Sequence, residues 1–324
     1  MTTFLTYLIV ALAIIGLVQI VRIFELAAKL KGNQENVVTD KDNHYNGLAI
    51  LIVGLLFVAF VAYSFKLWGH VILPTPASVH GLAIKGLWDA TMAVILIVFF
   101  ITQPILFWFA YKYRGREGNK ALYQTHNNKL EVLWTSVPAI VLTGLIIYGL
   151  STWNSVMNPD TDEAIVVEAY ARQFDWTARY AGEDNTLGDS HYTLIAGINT
   201  IGVDFSDANA DDDIVVRELH FPVNKQILMK FRSQDVIHSA YMPHFNVQMN
   251  CVPGMNTQFA FTPTKTTAEM REELGDEEFD FVLLCNKICG AAHYNMQMKV
   301  VIDTEEDYQA WLKEQEAFKT IANK

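Results

Sequence analysis

The chain falls into two halves that differ in the period of their apolar positions. Through residue 153 there are four continuous apolar stretches, near 4–26, 46–68, 88–111 and 132–153. Each is close to the roughly 20 residues needed to cross a bilayer. Backbone polar groups find no water in lipid, so each stretch is expected to be a helix. Pro104 and Pro138 fall inside two of them, where a kink is expected. Beyond residue 153 apolar and polar positions alternate, the period of half-buried strands. Strands are predicted at 164–171, 174–180, 214–220, 226–232, 257–262, 279–284 and 296–302, enough for a two-sheet sandwich. A closing helix is predicted at 305–320, with Thr304 as its cap and Asp307 completing a capping box.

Charge sharpens this division. Residues 1–153 carry 11 Lys+Arg against 7 Asp+Glu, and residues 154–324 carry 13 against 28. A slightly basic apolar half joined to a strongly acidic half excludes a single soluble domain. It also excludes nucleic acid as a partner, since phosphates demand clustered Lys and Arg. The expected organisation is a membrane region at 1–153, an outer domain at 154–304 and a C-terminal helix within 305–324. The basic loops are 112–130, with Lys112, Arg114, Arg116, Lys120 and Lys129, and 27–45, with Lys29, Lys31 and Lys41. Positive loops stay inside, so both termini and the acidic half are expected outside. The first stretch could instead be a cleaved signal peptide, but it lacks a basic leading region, which favours a retained helix. Glu131 stands at the inner mouth of the fourth stretch. It reads either as an interfacial carboxylate or as a group on a proton path.

The densest chemistry is Cys285-Asn286-Lys287-Ile288-Cys289-Gly290-Ala291-Ala292-His293-Tyr294-Asn295-Met296. Thiolate and thioether ligands select soft ions, and a Cys/His/Met set is that of cupredoxin copper sites. Those sites need one cysteine. Two thiolates on one loop can bridge a pair of coppers, each of which then needs its own imidazole. His238, in Asp235-Val236-Ile237-His238-Ser239, ends a predicted strand as the first histidine of a cupredoxin does. A Cys285–Cys289 disulfide leaves the spacing of His293 and Met296 without a reason, and zinc is a poorer match because Met ligates it weakly. Cys251 reads as a buried thiol, and His191, His220 and His244 as hydrogen-bonded rather than ligating.

With Lys129-Leu130-Glu131-Val132-Leu133-Trp134-Thr135-Ser136-Val137-Pro138 and Val252-Pro253-Gly254-Met255-Asn256, the chain resembles subunit II of haem–copper cytochrome c oxidases. The resemblance implies an all-β cupredoxin-like sandwich and a two-helix hairpin at 88–111 and 132–153, so the first two of the four expected transmembrane helices are additional to the family's usual pair. It implies a dinuclear copper A centre bridged by Cys285 and Cys289. His238 and Met296 would complete one copper, and His293 with the backbone carbonyl of Lys287 the other. The implied function is to accept electrons from cytochrome c or a c-type haem partner. Those electrons pass to haem in subunit I, where oxygen is reduced and protons are translocated. Trp176 and Phe174 match the aromatic pair where electrons enter, and Glu131 the proton-uptake carboxylate. The implied setting is the respiratory chain of a bacterial inner membrane, with the copper domain periplasmic. No Cys-x-x-Cys-His occurs, so no haem is expected on this chain.

Several positions depart from the family pattern. Lys287 replaces the usual Glu, so no magnesium is expected from this chain. Phe174 replaces Trp, and Gln248 and Asn250 stand where Lys and Asp are common. Together with the extra helices, these changes favour a fixed complex with the donor. A quinol oxidase subunit would lack the copper ligands. A nitrous oxide reductase would need a further large domain, and a copper-delivery protein would need no partner haem.

Overall fold

The computed structural model describes the backbone of residues 2–30 and 38–323, with side chains from 11–27 and 38–323. Four long helices lie in the N-terminal half: α1 (Thr2–Leu30), α2 (Asp40–Trp68), α3 (Val79–Lys112) and α4 (Asn128–Met157). Among the described residues three segments are long and apolar enough to cross a membrane, 40–71, 79–112 and 128–157. The expected count of four is therefore met by three. The remaining stretch, 4–26, lies in α1, and its residues 4–10 fall outside the described side chains, as do Lys29 and Lys31. Pro104 and Pro138 lie inside α3 and α4.

The chain forms two units, one of residues 1–63 and 100–123, the other of 64–99 and 124–324. In the first, glycine permits close helix contact. The Phe107 ring sits where a Cβ on Gly54 would be, 2.1 Å away. At the inner ends of α2 and α3, Arg114 hydrogen-bonds His44 Nδ1 (3.0 Å) and donates to the Tyr111 carbonyl (2.8 Å).

In the second unit the outer half is a sandwich of two five-stranded sheets. One sheet has the order β3-β2-β1-β5-β8, from β1 (Ile165–Arg172), β2 (Asp175–Tyr180), β3 (Ile214–Val216), β5 (Ile227–Ser233) and β8 (Thr257–Phe261). The other has the order β4-β10-β9-β6-β7, from β4 (Leu219–Pro222), β6 (His238–Met242), β7 (Val247–Cys251), β9 (Phe281–Cys285) and β10 (Gln297–Asp303). Alternation places Met229, Phe231, Phe281, Leu283 and Val300 in one core with Phe221, Phe245 and Trp176. Burying each such side chain contributes about 1.5–3 kcal/mol. His238, read as the end of a strand, instead begins β6, the strand predicted at 214–220 is two, β3 and β4, one in each sheet, and β7 and the short helix α5 (Thr267–Leu274) escaped the pattern. α5 carries its own signal, a capping box between Thr266 and Glu269 and a left-handed Gly275 at its end. The closing helix is split into α6 (Glu305–Lys313) and α7 (Phe318–Ala322), with Thr304 capping the first through the Asp307 amide.

The segment before α3 is tied into the sandwich. Ala77 and Ser78 are fully buried. The Ala77 amide donates to the His244 carbonyl (2.7 Å), and the Ser78 hydroxyl to the Phe245 carbonyl (2.7 Å). Residues 181–213 form a folded lobe, although the acidity of 204–213 alone reads as a solvated loop. Ile201, Val203 and Ala210 pack with Tyr170 and Phe318 in a second small core. Beneath it lies a buried ionic cluster: Arg179 donates to Glu168 (3.0 Å) and Asp213 (3.0 Å), and Arg232 also pairs with Glu168. Burial pushes Glu168 up, but the two guanidinium groups outweigh it and hold it below the usual carboxylate range.

Asp213 behaves oppositely. Burial, only partly offset by Arg179, pushes it up to about 6. Its Oδ2 accepts from Arg179 and from the Gly188 amide, while Oδ1 is buried without a partner. A proton on this carboxyl therefore stabilises the fold. The contribution is complete below about pH 4 and is lost as pH rises through the raised value. Asp213→Asn is expected to flatten that part of the thermal-stability profile. A variant profile parallel to the unsubstituted chain across that window would refute the assignment.

Candidate metal centre

β9 ends at Cys285 and β10 begins at Gln297, so the intervening loop is closed at its neck. The Cys285 amide donates there to the Met296 carbonyl (3.1 Å). A short turn at His293–Asn295 folds the loop back, with the Met296 amide donating to the His293 carbonyl (3.2 Å). β6 pairs with β9, Ala240 opposite Cys285, which brings His238 from 47 residues away to the same end of the sheet.

All six expected ligand groups converge. The two Sγ atoms lie 3.9 Å apart. His238 Nδ1 is 3.7 Å from Cys285 Sγ, and His293 Nδ1 is 3.6 Å from Cys289 Sγ. The Lys287 carbonyl lies 3.2 Å from Cys285 Sγ, and Met296 Sδ lies 3.9 Å from Cys289 Sγ. His238, Cys285 and Cys289 are buried, with ligand atoms within 4.8 Å of one another. Burial, then the adjacent Cys285, push the Cys289 thiol up to about 11. Two thiolates at this separation need a cation between them, so the donor set fits a soft, thiolate-bridged metal pair.

Asp235 supports the site. Its Oδ1 lies 2.8 Å from His238 Nε2. A carboxylate can only accept, so Nε2 carries the proton and Nδ1 turns its lone pair toward the thiols. Burial pushes Asp235 up, but hydrogen bonds from the Gln173 amide, the His238 ring and the Val236 amide outweigh it and keep the carboxyl below its usual range. Gln173 also donates its side-chain amide to the Cys289 carbonyl. The sequence reading named neither role, although Asp235, three residues before His238, was a visible signal.

The two aromatics separate. Trp176 is only 1% exposed and meets His238 edge to face at 6.3 Å, so it lies inside the core rather than on a docking surface. Phe174 is half-buried. A Cβ on Gly290, at φ 144°, would come within 2.8 Å of its ring, so the glycine lets Phe174 lie against the loop. The side chains of Lys287, Ile288 and Tyr294 point to solvent. Glu131 is far from this site in the fold. It lies in the first turn of α4, which Asn127 caps, and accepts from the Asn127 amide (3.1 Å). Cys251 is a buried thiol, and His191, His220 and His244 bond Thr193, Asp303 and the Thr75 carbonyl respectively.

Residues 66–152 match the transmembrane domain of cytochrome c oxidase subunit II, and residues 165–304 its periplasmic domain. The chain is 32% identical over 282 residues to the alternative cytochrome c oxidase subunit 2 of Bradyrhizobium diazoefficiens, covering 86% of this chain and 94% of that one. It is 26% identical over 277 residues to cytochrome c oxidase subunit 2 of Thermostichus vulcanus, covering 78% and 80%. Among solved structures, the periplasmic domain of subunit II of the Bradyrhizobium japonicum cytochrome oxidase aligns with 51% of this chain and 99% of its own, at 23% identity and a TM-score of 0.34. The chain belongs to the cytochrome c oxidase subunit II family, and is a membrane subunit of an oxidoreductase complex that carries an external β-sandwich domain.

Proposed function

We propose that this chain is the electron-accepting subunit of a terminal cytochrome c oxidase, with residues 154–304 holding a dinuclear copper A centre. The observation that carries this reading is the pairing of two thiols 3.9 Å apart, each with its own imidazole within 3.7 Å. A copper pair held there would supply a one-electron couple shared over both ions. Cys285 and Cys289 would hold both ions, with His238, Met296, His293 and the Lys287 carbonyl as the remaining ligand groups. Asp235 fixes the His238 tautomer, and burial of both thiols excludes water. Phe174, half-buried against Gly290, lies on the path from a docked cytochrome c or c-type haem protein. Trp176 backs His238 from within.

Subunit I, which holds the oxygen-reducing haem, receives the electrons, and Glu131 at the inner end of α4 delivers protons toward it. α1 acts as a fourth span in a bacterial inner membrane, so that the N-terminus and the copper domain share the periplasmic side. Lys287 turns an ammonium toward the neighbouring subunit, where it pairs with a carboxylate and leaves no place for magnesium. The apolar Ile288 and Tyr294, exposed on the loop, favour a donor held in a lasting complex. Metal analysis of the purified complex is expected to find two coppers per chain beyond those of subunit I, no magnesium ligated by this chain, and a mixed-valence spectrum. A complex without those coppers would refute the reading.

A further inference from the structure

The inner ends of α2 and α3 hold an arginine whose charge is not balanced within the fold. Arg114 is half-buried, and its guanidinium lies over the Tyr111 ring at 4.4 Å. It donates to the Tyr111 carbonyl and to His44 Nδ1, and among the described residues it pairs with no carboxylate. Gly47 on α2 permits this placement. A Cβ there would meet the Arg114 side chain at 3.0 Å and the Tyr111 ring at 3.4 Å. A cation held partly out of water costs stability unless an anion faces it.

The nearby carboxylates are engaged elsewhere. Asp40 accepts from the Glu117 amide (2.7 Å), and Asp42 from the amide and hydroxyl of Thr39 (3.1 and 2.6 Å). Glu117 is exposed, as are Lys41, Lys112, Arg116 and Lys120. Lys41 and Lys112 lie over the Tyr45 and Tyr113 rings, at 6.0 and 5.3 Å. Residues 38–47 and 111–120 together carry five Lys+Arg against three Asp+Glu, so the cluster keeps a positive excess. Donors are in place as well. Arginine only donates, so His44 Nδ1 accepts and its Nε2 carries the ring proton. That N–H joins the unused N–H groups of Arg114 in a set shared by two helices. A planar guanidinium matches phosphate oxygens in pairs.

Both helices are long and apolar enough to be spans, and this set stands where they give way to the basic inner loop, the level of lipid headgroups. The match to the family's transmembrane domain begins at residue 66, so the α2 share of the cluster lies outside it. We propose that Arg114 and His44, surrounded by Lys41, Lys112 and Arg116, bind the phosphate of an anionic phospholipid of the inner leaflet. A zwitterionic headgroup brings its own ammonium and gains little from the surrounding lysines, so the site selects anionic lipid. Free phosphate offers the same oxygens without acyl chains to hold it at the membrane.

The test strips the full oxidase complex of lipid in detergent and titrates it with phosphatidylglycerol, phosphatidylcholine or inorganic phosphate. Native mass spectrometry counts the lipids retained and the subunits present. Arg114→Gln is expected to retain one phosphatidylglycerol fewer and to bind it at least about tenfold more weakly. Arg114→Lys keeps the charge without the fork and should fall between the two. Lys112→Gln with Arg116→Gln should weaken binding less and flatten its dependence on salt. Copper content should stay unchanged throughout. Equal retention in Arg114→Gln and the unsubstituted complex would overturn the proposal, as would phosphatidylcholine binding as tightly as phosphatidylglycerol. Inorganic phosphate displacing the lipid at equal concentration would leave an anion site and remove the lipid. Loss of a neighbouring subunit from Arg114→Gln at an unchanged lipid count would mean that a partner carboxylate faces the guanidinium instead. Should Arg114→Gln fail to fold, the Lys112/Arg116 variant decides, since it leaves the His44 and Tyr111 contacts intact, and unchanged lipid affinity there would overturn the proposal.

Discussion

Cys285→Ser is expected to abolish the dinuclear centre. The two thiols stand 3.9 Å apart, each beside its own imidazole, so removing one removes a shared bridge rather than a single ligand. A serine hydroxyl does not ionise near neutral pH and is a hard donor, whereas soft ions require thiolate. With Cys289 as the one thiolate left beside His238, His293, Met296 and the Lys287 carbonyl, no shared pair of bridges remains, so the chain should lose at least one of its two coppers together with the mixed-valence absorption. Met296→Leu removes only a weak ligand and should retain both coppers with a shifted spectrum. Metal analysis alongside visible and near-infrared absorption of the purified complex makes the comparison. A Cys285→Ser chain with two coppers and an unaltered spectrum would sink the bridging assignment.

Arg179→Met carries the largest expected cost to stability. The guanidinium joins two buried carboxylates, Glu168 and Asp213, whose side chains are at most 4% exposed. Arg232 still reaches Glu168 in the variant, but Asp213 keeps only the Gly188 amide. Breaking a buried pair in this way costs about 3–5 kcal/mol, because the remaining charge has neither water nor a partner. Combining Arg179→Met with Asp213→Asn removes that charge, and should recover part of the loss. Chemical denaturation of the external domain's signal measures both. A single variant within about 1 kcal/mol of the unsubstituted chain would show that the cluster is not what holds the lobe to β1 and β2.

The ligand loop was legible because its chemistry is local. Cys285, Cys289, His293 and Met296 lie on one segment between two strands, and any fold that closes that segment brings them near one another. Most strands were legible for a similar reason: β5, β9 and β10 each bury alternate residues, so period two survives in the sequence. β1 kept less of that signal, since the core covers one face and the lobe the other, and Tyr170 on the lobe side is as buried as its neighbours. β6 and β7 were missed where the connecting turn at Pro243–Phe245 interrupts the alternation with a left-handed Asn246. The closing helix was read as one because its polar residues have no period that marks the break between Lys313 and Phe318.

By itself the sequence determined the membrane half, the inside–outside charge bias, the acidic β half and the sulfur-rich loop. Each depends on interactions within some twenty residues or on bulk partition between lipid and water. His238 was named from its motif, but only the tertiary structure shows which thiol it adjoins and which of Trp176 and Phe174 is buried. It placed His238 beside Cys285 through β6–β9 pairing, buried Trp176 behind it, and left Phe174 against Gly290. It also turned an acidic stretch into a packed lobe, because Asp213 and Arg179, 34 residues apart, meet only when the β2–β3 connection folds back over the sheet. Contacts of that separation depend on sheet pairing and burial, which no local pattern records.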